Sequence, residues 1–306
     1  MFALKVGRQE VIYDDHRIFG NVGWAQQARS HDVAMAKFGN GNYKLDVGFA
    51  FNQESEKLEG NMYNLSGYKA FQYLWYNRLI GNVNTSILFL NNGIQNTTTT
   101  NVNYSQTIGT HIEFDISEKI NAAANLYYQT GEDINETDLS AYLIGLDFNF
   151  KASEKSKITL GSEIQSGTDY NETDKNHSFS PLYGTNHKFN GLMDYFYVGN
   201  HFNSRGLLDL YAKFNTKIGN KSNLAFALHN FSTQTEIANN VNKQLGTELD
   251  IVYNYNFMPD INVSAGFSQM FASEGMEVLK GNADENWNHW GWIMLTIKPE
   301  LFTTNK

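Results

Sequence analysis

Three arginines, Arg8, Arg17 and Arg29, stand within residues 7 to 32, GRQEVIYDDHRIFGNVGWAQQARSHD, among Glu10, Asp14, Asp15 and Asp32 and the aromatic anchors Tyr13 and Trp24. A guanidinium is a planar fork of donors that meets a carboxylate through two parallel hydrogen bonds, so these arginines could hold a uronate chain. They could equally pair within the protein, because the acids of the stretch roughly match them in number and such pairs would fix a loop to a wall. Further along, His187 and Asp194 could support acid–base chemistry, but no partnered nucleophile accompanies them. With Lys188 they read instead as hydrogen-bonded anchors of a long loop. The remaining histidines show no metal-ligand spacing and the chain has no cysteine, so no metal, cofactor or thiolate chemistry is implied and no enzyme is expected. A net charge of -9 argues against a nucleic-acid binder.

The elements that must position these groups have period two. Residues 142 to 150, YLIGLDFNF, put Tyr142, Ile144, Leu146, Phe148 and Phe150 on one face and Leu143, Gly145, Asp147 and Asn149 on the other. INAAANLYY, TELDIVYNYNF, INVSAGFSQMF and YKLDVGFAF alternate in the same way. Successive side chains of a strand point to opposite faces, so each segment has one apolar wall and one polar or small wall. Helical spacing is not found over any comparable length. Short polar turns, as at Asn40-Gly41-Asn42 and Met258-Pro259-Asp260, alternate with longer polar loops at 10 to 30, 53 to 66, 93 to 102, 130 to 138, 167 to 205, 233 to 241 and 273 to 286. That is an antiparallel up-and-down meander of about fourteen strands, all-β, with one short-turn rim and one long-loop rim.

Two solvents could surround such a meander. Charged residues are 18% of the 306 and aromatics 14%, against a usual charged share of about 25% for soluble proteins. Many strands approach ten residues, and aromatics fall toward strand ends, at Tyr68, Tyr76, Tyr127, Tyr128, Tyr142, Phe150, Tyr253, Tyr255, Trp290 and Trp292, as in an interfacial girdle. These features favour a transmembrane β-barrel with outer-membrane lipid as its partner over a soluble sandwich. No apolar run is long enough for a membrane helix, and the opening MFALKVGRQE is not a signal peptide.

The pattern Gly7-Arg8-Gln9-Glu10, Tyr13, Asp14, Arg17, Phe19-Gly20, Trp24, Arg29, Asp32 resembles the alginate-export family of outer-membrane β-barrels, and SPLYGTNHKFNGLMDYFYVGN, with His187, Lys188, Phe189, Gly191 and Asp194, is similar to a second segment of it. The ending WGWIMLTIKPELF looks like the last strand of such a barrel. The resemblance implies a porin in the bacterial outer membrane that passes an anionic polysaccharide or oligosaccharide through a polar lumen of roughly eighteen strands, of which this chain would lack the first few. Residues 1 to 306 are then one barrel domain, with loop 167 to 205 as a lumen constriction. Candidate pore-lining residues are Arg8, Arg17, Arg29, Lys44, Arg78, Lys151 and Lys213, and candidate loop anchors are His187, Lys188, Asp194, Asp14 and Asp32. One feature departs from a polyanion pore. The inward parity also collects Asp46, Glu113, Asp115, Asp147, Glu163, Asp209, Glu248 and Asp250, more acids than bases, whereas selectivity follows the charges lining a channel. A general small-solute porin, or a surface adhesin with specificity in its loops, are the alternatives.

Overall fold

A computed structural model describes residues 2–25, 27–52, 67–96, 98–197, 199, 201, 204–281 and 288–302. The loop expected over 53 to 66, Thr97 of the 93 to 102 loop and the end of the 273 to 286 loop lie outside the described residues. The strands are β1 (Phe2–Gln9), β2 (His31–Gly39), β3 (Tyr43–Phe51), β4 (Tyr68–Ile80), β5 (Val83–Gln95), β6 (Val102–Ser117), β7 (Ile120–Glu132), β8 (Asp138–Lys151), β9 (Ser156–Gln165), β10 (Lys175–Asn176), β11 (Leu207–Lys217), β12 (Ser222–Ser232), β13 (Gln244–Met258), β14 (Ile261–Ala272) and β15 (Asn288–Ile297). One short helix that the periodicity did not signal, α1 (Glu274–Lys280), lies in the last long-rim loop.

Each strand pairs antiparallel with its neighbour in sequence, with β9 pairing directly to β11. The two-residue β10 stands off this path and pairs parallel with β8. Strands β1 and β15 are the ends of the sheet and, among the described residues, are not paired with each other. Strands β4 to β8 run 13 to 16 residues, ample for a tilted span of about 9 to 11 residues through hydrocarbon. The facing of β8 separates a barrel from a sandwich. Phe148 is 53% exposed and Ile144 40%, whereas two stacked sheets would bury them. Inward, Asp147 accepts from the Tyr211 hydroxyl at 2.7 Å. The apolar belt therefore points out, as in a barrel whose outer surface meets lipid.

The inner face is packed rather than wet throughout. Inward glycines Gly48, Gly109, Gly161 and Gly266 are slots covered by the rings of Tyr73, Tyr127, Tyr211 and Trp292 on adjacent strands, and a side chain at any of them would overlap the ring. Such ring-over-glycine pairs pin register and let a strongly bent sheet close up. They correct the girdle assignment: Tyr68 and Tyr127 are buried inside, and Trp290 and Trp292 turn inward, because Ile293 on the alternate parity of β15 is 82% exposed. Tyr128, Tyr142, Phe150 and Tyr253 do face outward.

Candidate functional site

The loop between β1 and β2 goes down into the barrel instead of across its mouth. Tyr13 donates to Asp46 of β3 at 2.8 Å, its hydroxyl lies 3.0 Å from that of Tyr73, and its ring stacks on Trp75 of β4 with centroids 4.5 Å apart. The Trp75 indole donates to both oxygens of Asp14, at 3.1 and 3.2 Å, and Asn125 of β7 donates to Asp15 at 2.6 Å. Burial pushes the Asp14 carboxyl above its ordinary range. Trp75 and Asn125 each stand five positions from the short-turn ends of their strands, so this loop reaches past the middle of the lumen. Positive φ values at Asp14, His16, Val22 and Ala28 supply the tight turns of the descent. Val11, Ile18 and Phe19 are buried, and Phe19 packs edge-on against Phe71 of β4.

The long loop between β9 and β11 meets it from above. Gly20 N donates to Tyr183 O at 2.8 Å and Thr185 N to His16 O at 3.0 Å, a short parallel bridge centred on Phe19 and Tyr183. Thr185 occupies the space where a side chain at Gly20 would stand. Arg29 donates to the carbonyl of Gly184, and burial lowers its pKa. His187 stacks on Trp24 at 4.1 Å, beside Trp290 and Trp292 of β15. The chain then lies along the opposite wall. Asn190 Nδ2 donates to Glu163 of β9 at 3.0 Å and to Asp209 of β11 at 3.2 Å, and the amides of Leu192 and Met193 donate to Glu248 of β13 at 2.6 and 2.8 Å. Gly191 has φ +84 with the Glu248 carboxylate directly over it, a position closed to other residues on both counts.

Set against these contacts, the arginines divide. Arg17 is buried in the lumen, paired with Glu163, bonded to Asn190 Oδ1 at 3.1 Å, its guanidinium 4.4 Å from the Phe189 ring centroid. Arg29 is tied to loop backbone. Arg8 does not line the pore: it shares the outward parity of Val6 and forms an exposed fork with Asp32 of β2, at 3.0 and 2.8 Å. The two are direct partners at the long-loop end of β1, where a charge on the lipid side costs little. Asp32 therefore anchors Arg8 and no loop. Arg78 is a second correction. On β4 the inward residues are Phe71, Tyr73 and Trp75, so Arg78 takes the outward parity of Leu74, near the short-turn rim.

The lysines fare differently. Lys44 lines a cavity of about 620 Å³ with Lys37, Tyr13, Trp75 and Asp46, below the first loop. Lys213, its ammonium 4.6 Å from the Tyr211 ring centroid, borders a cavity of about 130 Å³ with Lys188 and His229. Lys151 and Lys157 border one of about 310 Å³ at the short-turn mouth, with Asp115, Glu118 and Lys119. Lys188 donates to Asp15 O at 2.6 Å, joining the two loops, and burial lowers its pKa. His187 Nδ1 lies 3.4 Å from Asp194 and the imidazole is enclosed by rings, placed to hold loop to loop rather than to reach a solute. Lys37, which pairs with Asp46, and Asn190, Glu163 and Glu248 as docking groups escaped the sequence reading. The surplus of inward acids was their signal: Asp46, Glu163, Asp209 and Glu248 are buried receivers of loop and wall donors, not free charges of a conduit.

No protein-family model and no curated protein matches the chain. Solved structures do. It is similar to the outer-membrane protein OprD from Pseudomonas aeruginosa, at 10% identity over 97% of this chain and 75% of that one, with a TM-score of 0.65. It is also similar to OccK5 (OpdH) of the same organism, at 11% identity, 98% and 78% coverage and TM-score 0.65. Acinetobacter baumannii OccAB4 matches at 11% identity, 97% and 72% coverage and TM-score 0.62. At these identities the likeness is one of fold. The fold is that of bacterial outer-membrane β-barrel porins, a multi-pass barrel with its apolar face outward.

Proposed function

We propose that the chain acts as a substrate-restricted outer-membrane channel for carboxylate-bearing solutes, a uronate oligosaccharide of the alginate type among them, with the two inward loops as its constriction. The observation that carries the reading is the filled lumen. Loops 10–30 and 167–205 close the centre of the barrel, and the cavities left on the short-turn side present Lys37, Lys44, Lys151, Lys157 and Lys213. The Lys44 side chain makes no hydrogen bond or ion pair among the described residues, so its ammonium is available to a solute. An aromatic ring and an ammonium bordering one cavity, as Trp75 and Lys44 do, suit the apolar face and the acid group of a sugar acid. The alginate-type solute rests on the sequence resemblance alone, since Arg8, Arg17 and Arg29 are engaged within the protein.

A second reading, passive diffusion of small solutes of either charge, is favoured by the mixed lining of the short-turn mouth, where Asp115 and Glu118 stand beside the lysines. Reversal potentials in a salt gradient across planar bilayers separate the two. A preference for anions that falls in the double variant Lys37→Gln/Lys44→Gln, together with uptake of a diuronate into proteoliposomes faster than of a neutral disaccharide, supports the restricted channel. Equal permeability of both ions and both sugars would leave the general porin.

A further inference from the structure

The wall beneath residues 188–192 has a pit in it. Ala225 and Ala227 are inward residues of β12, and their direct partners are Asn215 and Lys213 on β11 and Val252 and Asp250 on β13. Two methyl groups thus stand where both flanking strands carry longer side chains, and the sheet does not fill the space above them. Lys188, Gly191 and Leu192 of the second loop roof it, leaving a cavity of about 130 Å³. Neighbouring strands lie about 4.8 Å apart, so Lys213 and Asp250, on either side of Ala227, are separated by about 10 Å at the backbone.

The polar groups around this floor have capacity left over. Lys213 rests against the Tyr211 ring, and its ammonium makes no ion pair or hydrogen bond among the described residues. Lys188 uses one donor on Asp15 O, and an ammonium has three. Asp250 is buried and receives Ser268 at Oδ1, while its Oδ2 has no donor among the described residues. An ionised carboxylate has about four lone-pair sites, so Asp250 can accept more than its neighbours offer. His229, at one end, is balanced by Asp209, 2.9 Å from its Nδ1. Glu248 receives the Leu192 and Met193 amides and does not border the cavity. Two ammonium groups therefore meet one carboxylate, which leaves one positive charge in excess and an acceptor across the floor from it. The two ammonium groups also sense each other. Covering of Lys188 is the main cause of its lowered pKa, and the Lys213 charge adds to it against the opposing effect of Asp15.

We propose that this cavity is a subsite for one hydroxy-monocarboxylate unit, its carboxylate held between Lys188 and Lys213 and its hydroxyl donating to Asp250. The assignment rests on the reading of the chain as a channel for carboxylate-bearing solutes and names the class more narrowly, though binding can be measured without conduction. Size limits the guest to a single unit, since a cavity of about 150 Å³ holds one benzene-sized body. Charge limits it to one carboxylate: a second would meet Asp250 as a like charge, and a zwitterion would leave the excess unbalanced. The hydroxyl follows from Asp250, because an alkyl acid would turn carbon toward a buried acceptor and leave it unpaired. Lys188 belongs to the loop and Lys213 to the wall, so a bound acid also ties one to the other.

Saturation-transfer NMR titrations of the full chain in nanodiscs, with lactate, propanoate, succinate and alanine as probes, test this. Lactate should bind at least about tenfold more tightly than propanoate, the ratio expected of a hydrogen bond to a charged group, and more tightly than succinate or alanine. Lys213→Met, which keeps the apolar stem and removes the charge, should weaken lactate binding at least about tenfold. Ala227→Leu fills the floor without touching a charge and should abolish it. No binding of lactate, or propanoate or alanine binding as tightly, would overturn the subsite. So would unaltered lactate binding in Lys213→Met or in Ala227→Leu. Absence of conductance in bilayers beside intact lactate binding would instead overturn the channel reading and leave the subsite standing.

Discussion

Two loops enter one lumen, and a different kind of contact predominates in holding each of them there. Loop 10–30 docks largely through rings, with Arg17 on Glu163 and Asp14 under the Trp75 indole beside them: Tyr13 on Trp75, Phe19 against Phe71 and Tyr73, with Tyr183 of the other loop stacked on Phe19 at 5.5 Å. Segment 186–197 docks through hydrogen bonds to charged oxygens, and its apolar contacts gather at its 193–196 end. Burial of rings is indifferent to pH and additive over area. Buried carboxylates and their donors depend on one another, so removing one partner leaves the rest uncompensated. The contrast predicts that the two loops respond differently when their partners on the wall are substituted.

The sharpest way to break the contrast is at its apolar side. Trp75→Ala removes the ring beneath Tyr13 and the donor to Asp14, and is expected to cost about 3–5 kcal/mol of stability, as other buried Trp truncations do. Denaturant unfolding should show it, with little change in the pH response of the protein. Gly191→Ala should cost about 2 kcal/mol through its positive φ and the overlap with Glu248, and the loss should be local, seen in exchange across 186–193 before any change in the global melting temperature. Tyr13→Phe deletes a buried hydroxyl shared by Asp46 and Tyr73, worth about 1–2 kcal/mol by unfolding.

The pH prediction carries a definite sign. His201 in the fold has a pKa of about 3, below its ordinary value of 6.5. The unfolded chain therefore binds the proton first, and the stability that neutral His201 contributes is complete above about pH 6.5 and is lost as pH falls toward 3. His201→Gln should flatten melting temperature against pH in that window. The smallest effect belongs to Arg8→Ala. Its pair with Asp32 is exposed, and neither stability nor ion preference should change measurably.

What was legible in the sequence follows from distance along the chain. The outward stripe Tyr142, Ile144, Leu146, Phe148, Phe150 needs only the two-residue alternation of one strand, and the alternation of turns and loops gives the meander. Arg78 and the tryptophans of β15 were misplaced by weighting residue type over parity: a basic group was set inside and rings at a rim, where the alternation of Tyr73 and Trp75, or of Gly291 and Ile293, orders the reverse. The docking of the loops could not be read locally at all. Arg17 meets Glu163 across 146 positions and Arg29 meets Gly184 across 155, and only the curling of the whole sheet brings such partners together. The excess of inward acids was visible as a count, but as a count it only departed from a polyanion pore, because most of the donors that occupy those acids, among them Tyr13, Arg17, Asn190 and the amides of Leu192 and Met193, come from loops distant in sequence.

The central claim is that segment 186–197 occupies the conducting path. It is tested most directly by the unitary conductance, in planar bilayers, of the wild type and of a variant in which 186–197 is replaced by a short Gly/Ser linker. The account predicts a rise of at least about twofold, since ionic flux is set by the narrowest part of a pore. An unchanged unitary conductance, with the variant folded and inserted, would show that the path runs elsewhere and contradict it.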